Sequence, residues 1–540
     1  MSFSNAGDGL WPGGLDSGPR SSAINVAEVS GTAASGVLMA LSFFPRSLFP
    51  LAWIGLIPLL LSLRGKKRGQ CVWLMLLFGV VYHGILNFYI AGAVFRAGAF
   101  LPYALWQQLL VSGVAFLGAV AGCCAWPALF GLCYCGRTPQ SGTGSPPPTA
   151  VALLWSVVEL ARSLGPFGYT WGDVGYSQTS WLPILQIASV VGVFGISFLV
   201  VWVNASIAEV LARHDTASLF GLAGAIGAIA LMYAVAARMD YRQQEPWNSE
   251  KKFRVRIVQP GLSLTDKQAA GERLGGGLRN ELELSGRGGG DVDMIVWPET
   301  AILELLPWSS ATRRSLMRLT KGLRAWLITG ALERDTMGRE FNCAVSISPA
   351  GKTRGVYRKQ HLVPFGEYLP MRSRWAFMEF FAFRERDFSP GNRMQLLPGA
   401  MGPTAAAICF ESMFSGLLRE MTRNGARVIA VLTNDEWLSG TSAPTLHLAM
   451  AQMRAVENRR FVIRSANTGI SAIISDTGRI VAQLGEGQSG TVQGDVTSRS
   501  ELSLYSMFGE AWLVIGIALW VVLSLYRGTH RRTQDGRDLC

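Results

Sequence analysis

The sequence predicts an integral membrane α-helical bundle of about eight transmembrane helices joined to an extracytoplasmic α/β domain, and three observations predict it. Hydrophobic residues make up 49% of 540 and charged residues 16%, against about 25% charged in an ordinary soluble chain. Yet 49 basic and 37 acidic residues remain, too many for a chain lying wholly in lipid. The charges are also segregated: between Gln70 and Arg137 the only Asp, Glu, Lys or Arg is Arg96. With a mean hydropathy of +0.26, this excludes a disordered chain, a disulfide-stapled mini-protein and a fully soluble enzyme.

Taken in chain order, residues 1–24 are a Gly/Ser-rich flexible segment without the apolar core of a cleavable signal. Apolar stretches able to span a ~30 Å hydrocarbon core run over 27–44, 47–63, 71–93, 103–133, 150–164, 182–208, 217–237 and 508–526. The first, second and fifth are short and read as tilted or re-entrant. Residues 136–149, with Ser145-Pro146-Pro147-Pro148, form a flexible loop. The predicted division is a seven-helix domain over 25–240, an α/β domain over 241–505, a last membrane helix over 506–528 and a basic tail over 529–540.

Orientation follows from two basic clusters beside apolar runs, Arg64-Lys66-Lys67-Arg68 and Arg527-Arg531-Arg532-Arg537. Positively charged loops stay on the cytoplasmic side. Placing the first cluster there puts 238–507 outside and the second cluster inside, so both agree on one topology. The chain is therefore expected in the cytoplasmic (inner) membrane with its polar domain on the periplasmic side. The net charge of +12 reads as a topology signal, not as a nucleic-acid surface, because no basic face with interleaved aromatics is present.

Eight cysteines do not make a disulfide framework here. Five sit in or beside apolar runs, where cysteine behaves as a small hydrophobe, and no C-x-x-C with a His partner suggests a metal. Cys343 and Cys409 lie in the polar domain. Cys343, on the apolar strand Asn342–Ile347, reads as core and is not expected to bridge Cys409.

From Phe253 the pattern changes to short β-rich runs separated by helical ones: Val255–Val258, Met294–Trp297, Trp326–Thr329, Ala344–Ser348, Thr404–Phe410, Arg427–Leu432 and Ser471–Ser475, with helices at Thr312–Leu323 and Leu446–Val456. Such alternation predicts a layered α/β domain. Three strand ends carry reactive groups: Glu299 after Trp297-Pro298, Lys359 in the run Tyr357–Tyr368, and Cys409 in Ala407-Ile408-Cys409-Phe410-Glu411-Ser412. Each alone is ordinary: a Glu after a strand is usually a surface carboxylate, and a strand-end Cys is more often core than nucleophile.

Together these frames resemble the Glu-Lys-Cys triad of the nitrilase superfamily. With membrane spans on both sides, the chain resembles the apolipoprotein N-acyltransferase family. The likeness rests on Gly175-Tyr176-Ser177-Gln178, Val258-Gln259-Pro260-Gly261, Trp297-Pro298-Glu299 and the run Lys359–Glu367 with its His361-Leu362-Val363-Pro364-Phe365-Gly366. It continues through Ile408-Cys409-Phe410-Glu411, Thr433-Asn434-Asp435, His447, Met453–Glu457 and Arg464–Ile470, and it covers roughly residues 25–526. The family's pattern has a Trp where this chain reads Leu264–Gln268, including Lys267, and Trp-Phe-Gly where it reads Glu436-Trp437-Leu438-Ser439-Gly440.

The resemblance implies an αββα nitrilase-like domain, with no metal or cofactor. It implies transfer of a fatty acyl chain from a membrane phospholipid, phosphatidylethanolamine above all, to the α-amino group of an S-diacylglyceryl-cysteine apolipoprotein. Cys409 is then the nucleophile and thioester carrier, Glu299 the proton acceptor, and Lys359 the oxyanion stabiliser. Glu367, Glu411 and Asn434 would support the triad. On this view Cys409 gains acidity from a helix N-terminus and from Lys359. His447 is not expected to form a Cys-His pair, because the Glu/Lys frame already accounts for proton transfer.

Both substrates carry chains costing roughly 0.8 kcal/mol per CH₂ to draw into water, so Cys409 is expected near the outer leaflet. Trp171 and Tyr176 in the aromatic loop 165–181, Phe380 and Phe381 in the arm Trp375–Phe383, and Trp437 are the candidate substrate-contacting residues. The loop could equally be an interfacial aromatic belt and the arm a core segment. Two other readings share these residues: a membrane-tethered nitrilase-type amidase using water as acceptor, and a scaffold with an inactive nitrilase fold. Eight spans favour lipid substrates over the first, and an intact triad disfavours the second.

Overall fold

The computed structural model describes residues 23–98, 104–134, 146–244, 251–262, 276–287, 289, 291–372, 374 and 386–522. Among these, five helices are long and apolar enough to cross a membrane: Arg46–Leu63, Arg68–Leu86, Leu105–Tyr134, Ala188–Arg213 and Thr216–Arg238. Val26–Leu41 and Ala511–Val522 are shorter apolar helices, and Pro148–Arg162 has 15 residues. The eight predicted apolar stretches are thus all helical, but three are shorter than a full crossing. The second predicted span has a broken interior, a 3-10 turn at Arg46–Trp53 followed by helix Ile57–Leu63. The third stops at Leu86, and a separate helix, Tyr89–Gly98, carries Arg96.

The bundle hides its small and polar faces and shows its apolar ones. Thr216–Arg238 is only 11% buried over its most apolar window, with Leu219, Phe220, Ile226 and Leu231 exposed. Exposed apolar faces of this extent suit lipid contact. Ala188–Arg213 is 78% buried and forms the centre of the bundle. It is interrupted at Gly192, whose φ of +69° is non-helical.

The second region is built on two sheets. In chain order its strands are β1 (Lys252–Gln259), β2 (Met294–Val296), β3 (Ile302–Leu306), β4 (Trp326–Arg334), β5 (Glu340–Ile347) and β6 (Thr353–Arg358). They continue as β7 (Leu397–Gly399), β8 (Gly402–Ile408), β9 (Val428–Thr433), β10 (Val462–Ala466), β11 (Ser471–Ile474), β12 (Ile480–Leu484) and β13 (Gly490–Thr497). One sheet has the order β13-β1-β2-β4-β5-β6 with β3 on β4, and the other β12-β11-β10-β9-β8-β7. Neighbours β1, β2 and β4 are parallel, as are β8, β9 and β10. Side chains alternate between faces, as strand geometry requires. Met294 and Val296 join the core shared with β8–β10, whereas Ile295 and Trp297 join a second core with Leu284 and Leu316 of helices Gly276–Arg287 and Ser310–Leu323. The other sheet is flanked by Ser415–Arg423 and Ala443–Asn458. The architecture is the αββα sandwich that the sequence predicts. The sequence does not predict β3, β6, β7, β10, β12 and β13; most of these are short or half-exposed, but β10 is fully buried, its Arg464 and Ser465 interrupting the apolar run.

The aromatic loop fixes how the two regions meet. Residues 170–179 are buried, and they lie against the turn following Cys409: Thr170 Oγ1 and Tyr176 O–H donate to the Met413 carbonyl at 3.3 and 3.2 Å. Arg454 donates to Tyr176 Oη at 3.1 Å and pairs with Glu457. Glu457 in turn accepts the Val193 N–H at 2.8 Å. Arg459 reaches Gln186 Oε1 at 2.9 Å and Ser189 Oγ at 3.1 Å. The loop is therefore a buried joint and not an interfacial belt.

Candidate active site

The ends of β2, β6 and β8, with that of β9 at Asn434, converge at the face where open α/β sheets carry their reactive groups. After β2, Trp297 N–H donates to Ile328 O at 2.9 Å and Gly330 N–H to Pro298 O at 3.1 Å. Thr300 adopts φ +47°, and the tight passage requires glycine at 330, where a Cβ would collide with Pro298 O and Thr300 N. Glu299 is the residue so presented, 7% exposed. After β6, Lys359 donates its N–H to Asn342 O at 2.8 Å, and its side chain is 1% exposed. After β8, Cys409 takes φ +52°, a left-handed conformation uncommon outside glycine.

The side chains meet. Lys359 Nζ lies 3.3 Å from Glu299 Oε1 and 2.9 Å from Glu367. Asn342 Nδ2 donates to both carboxylates, at 2.8 and 3.0 Å. Asn434 N–H donates to Glu299 Oε2 at 3.0 Å and Val363 N–H to Glu367 Oε2 at 2.8 Å. Both Glu299 and Lys359 act electrostatically on the Cys409 thiol, which is hydrogen-bonded to Thr433. Glu411 ties two strand ends together: its carboxylate accepts Ile408 N–H at 2.8 Å, Gln360 N–H at 2.7 Å, His361 N–H at 3.2 Å and Tyr357 O–H at 2.7 Å.

Burial pushes the Cys409 thiol up to about 12, the Glu299 charge adding to the effect and Lys359 opposing it. This corrects the expected activation. The residues after Cys409 form a five-residue 3-10 turn, Cys409–Met413, too short to sum the peptide dipoles of a helix. Desolvation then outweighs the ammonium, so the resting sulfur keeps its proton. Burial opposes the charge on Lys359 too, but the carboxylates of Glu367 and Glu299 hold its ammonium above the ordinary range. Burial also pushes Glu411 up to about 7 against the pull of its donors.

A second network supports the turn from the other side. Asp435 Oδ1 accepts from Thr433 Oγ1 at 2.8 Å and lies 2.9 Å from His447 Nδ1, while Arg464 pairs with Oδ2. Gly469 leaves room for this carboxylate, since a Cβ would collide with it. His447 Nε2 contacts Ser412 Oγ at 2.9 Å and the Cys409 carbonyl at 3.2 Å. Its polar contacts are with the backbone of Cys409, not the sulfur. Burial alone would raise Asp435, but Arg464 and His447 hold its carboxyl well below the usual range.

The remaining predicted residues fall in three places. Asn434 positions Glu299 through its N–H, and its Oδ1 accepts from Asn467 Nδ2 at 3.1 Å. Trp437 lies in the turn Asp435–Leu438 with its carbonyl accepting from Arg96 Nη2 at 2.6 Å. Trp171 is enclosed between Tyr89 and His447, ring centroids 4.9 and 6.2 Å away, and Tyr176 is in the buried joint. Phe380, Phe381, Lys267 and Gln268 lie outside the described residues. Cys343 is buried and free, its sulfur 3.6 Å from Glu333. Cys71 alone among the described cysteines is disulfide-bonded. Not found from sequence were Asn342, which bridges the two glutamates, and the Arg464 partner of Asp435. The one available signal was an amide within an apolar strand. Among the described residues no cluster of three or more His, Cys, Asp or Glu is placed to hold a metal ion.

A carboxylate, an ammonium and a thiol thus meet at the strand ends of an αββα sandwich, and residues 268–502 match the Carbon-nitrogen hydrolase family. Residues 35–206 match the family described as Apolipoprotein N-acyltransferase N-terminal domain. The chain is 30% identical to the apolipoprotein N-acyltransferase of Geobacter metallireducens over 91% of its own length and 94% of that protein's. It is 31% identical to that of Pseudomonas aeruginosa (strain UCBPP-PA14) over 93% and 96%. Among solved structures, Saccharomyces cerevisiae Nit3, a member of branch 10 of the nitrilase superfamily, aligns with 21% identity and TM-score 0.36 over 46% of this chain and 90% of its own. The chain belongs to the apolipoprotein N-acyltransferase family. It is a membrane acyltransferase of lipoprotein maturation with a lipoprotein acceptor.

Proposed function

We propose that the chain N-acylates its lipoprotein acceptor by a thioester relay drawing on a membrane phospholipid, with Glu299, Lys359 and Cys409 as the reacting groups. Glu299 takes the Cys409 thiol proton as the sulfur attacks the donor's ester carbonyl. The tetrahedral oxyanion is met by Lys359, whose three N–H donors include one left over from Glu299 and Glu367. Collapse breaks the carbon–oxygen bond, Glu299 returns its proton to the leaving alcohol, and a lysophospholipid departs. The free α-amine of the S-diacylglyceryl-cysteine then attacks the thioester. Its proton passes to Glu299, the carbon–sulfur bond breaks, and the proton returns to Cys409.

The observation that carries this reading is the shared hold on Glu299. Lys359, Asn342 and the Asn434 N–H fix its carboxylate beside a thiol that cannot ionise unaided at neutral pH. General-base help of this kind supplies about 10²–10⁴-fold in rate, and an oriented oxyanion donor about as much again. Glu367, Glu411 and Asn434 keep the reacting groups in register. Trp437, Trp171 and Tyr176 shape the wall and floor beside them.

The same reading divides the chain into a membrane domain over residues 25–240, a catalytic domain over 241–505 and a closing helix over 506–528. The basic clusters then put the catalytic domain on the periplasmic face of the inner membrane. Mass spectrometry after incubation with phosphatidylethanolamine tests the relay. A fatty-acyl mass on Cys409 with release of lysophosphatidylethanolamine, and its discharge as an amide onto a diacylglyceryl-cysteine peptide, is the expected result. Amide formation in Cys409→Ser without acyl-enzyme would overturn it. Discharge to water in the presence of acceptor would favour the amidase reading.

A further inference from the structure

Arg96 has no role in this chemistry, yet its position is unusual. It is the sole Asp, Glu, Lys or Arg between Gln70 and Arg137, at the far end of the separate helix Tyr89–Gly98. At its start Tyr89 lies against Trp171 of the membrane half's own aromatic loop, rings tilted and 4.9 Å apart, and near its finish the helix reaches the catalytic domain, where Arg96 Nη2 donates to Trp437 O at 2.6 Å. The guanidinium folds back over Gly92, where a Cβ would sit 3.3 Å from Nη1. Among the described residues the buried Nε of Arg96 has no hydrogen-bond partner.

An arginine in an apolar segment is costly unless it meets an anion or the headgroup layer. Arg96 is half-buried and spends one donor on a backbone carbonyl, while its Nε finds no hydrogen-bond partner among the described residues. The planar fork matches phosphate oxygens. It stands one turn from the loop in which Asn434 holds Glu299. We propose that Arg96, braced on the Trp437 carbonyl, binds the phosphate of the phospholipid acyl donor and sets the ester beside Cys409. This rests on the thioester reading above and adds the group that recognises the donor's headgroup.

The test compares two acyl donors in detergent micelles with full-length protein: phosphatidylethanolamine, and p-nitrophenyl palmitate, which forms the same thioester but has no phosphate. Arg96→Gln is expected to raise KM for phosphatidylethanolamine about ten-fold or more, the scale of a lost charge-assisted hydrogen bond. It should leave acylation by p-nitrophenyl palmitate within two-fold (roughly the scatter of such measurements). Arg96→Lys, which keeps the charge without the fork, should recover only part of the loss. Equal losses with both donors would mean that Arg96 merely props the Trp437 turn, and would overturn the inference. So would an effect on p-nitrophenyl palmitate turnover that appears only when a non-hydrolysable ether phospholipid is added, since the phosphate would then belong to a bystander lipid. If the wild type forms no acyl-enzyme with either donor, it is the thioester reading that fails.

Discussion

Cys409 sits between two buried charge networks that look alike and do opposite work. On the sulfur side, Glu299, Glu367 and Asn342 surround Lys359, and the cluster borders the thiol. On the carbonyl side, Arg464 and His447 surround Asp435, and the cluster ends on the Cys409 backbone and Ser412. In the first, an ammonium keeps a donor free beside the Cys409 sulfur. In the second, the carboxylate spends its lone pairs on Thr433, His447 and Arg464. A charge cluster at a strand end is reactive only where it leaves capacity unspent; otherwise it is a brace.

The sharpest break between the two is Glu299→Gln. Acyl-enzyme formation should fall about 10²–10⁴-fold in single-turnover mass spectrometry. At the same time the Cys409 titration, read by alkylation against pH, should move down from about 12, because the Glu299 charge that adds to the effect of burial is gone. A more acidic thiol in a slower enzyme would mark Glu299 as a base; a rate that rose with thiolate content would refute that role.

Asp435→Asn should strike stability first. Removing one partner of a buried pair costs roughly 3–5 kcal/mol, read as a lower melting temperature. The Asp435 carboxyl is held low, so its stabilisation is present above the ordinary carboxylate range and is lost as pH falls through that range and below. The variant should therefore lose part of its acid-side slope. An unchanged acid limb would show that the brace is not charged.

Glu411→Gln should have a smaller and opposite pH signature. Its folded value of about 7 lies above the ordinary one. Between about 4.5 and 7 the folded protein holds more protons than the unfolded chain, so stability falls as pH rises, by at most ~1.4 kcal/mol per pH unit. The variant should flatten that decline. The smallest effect is expected from His447→Gln, whose amide can still span Asp435 and the Cys409 carbonyl. Acylation should drop only a few-fold, the scale of one altered neutral hydrogen bond, with no shift in the thiol titration. A loss comparable to Glu299→Gln would erase the distinction between the networks.

Most of the sandwich was legible because β2 and β4 alternate apolar residues between two cores, because β8 and β9 are continuous apolar runs, and because Glu299, Lys359 and Cys409 each close a strand in a distinctive frame. What could not be read is what depends on depth. The Cys409 thiol looked acidified from its neighbours' identities, but burial dominates it. Asn342 offers only an amide within an apolar strand, since its value lies in reaching Glu299 and Glu367 from β5. The loop 165–181 carries the aromatic composition of an interfacial belt, yet Arg454 and the Met413 carbonyl draw it into the joint. Half-exposed β12 and β13 offer too little alternation to be seen.

Gly192 breaks the central helix of the bundle and leaves the Val193 N–H without a helical acceptor, and it is Glu457, from the catalytic domain, that takes this proton donor at 2.8 Å. A buried N–H left without an acceptor costs about 1–3 kcal/mol. The helix is therefore completed by a residue synthesised some 260 positions later, so docking of the domain contributes to the stability of the bundle's central helix. A truncated membrane half should accordingly be a substrate for quality-control proteolysis rather than a stable fragment.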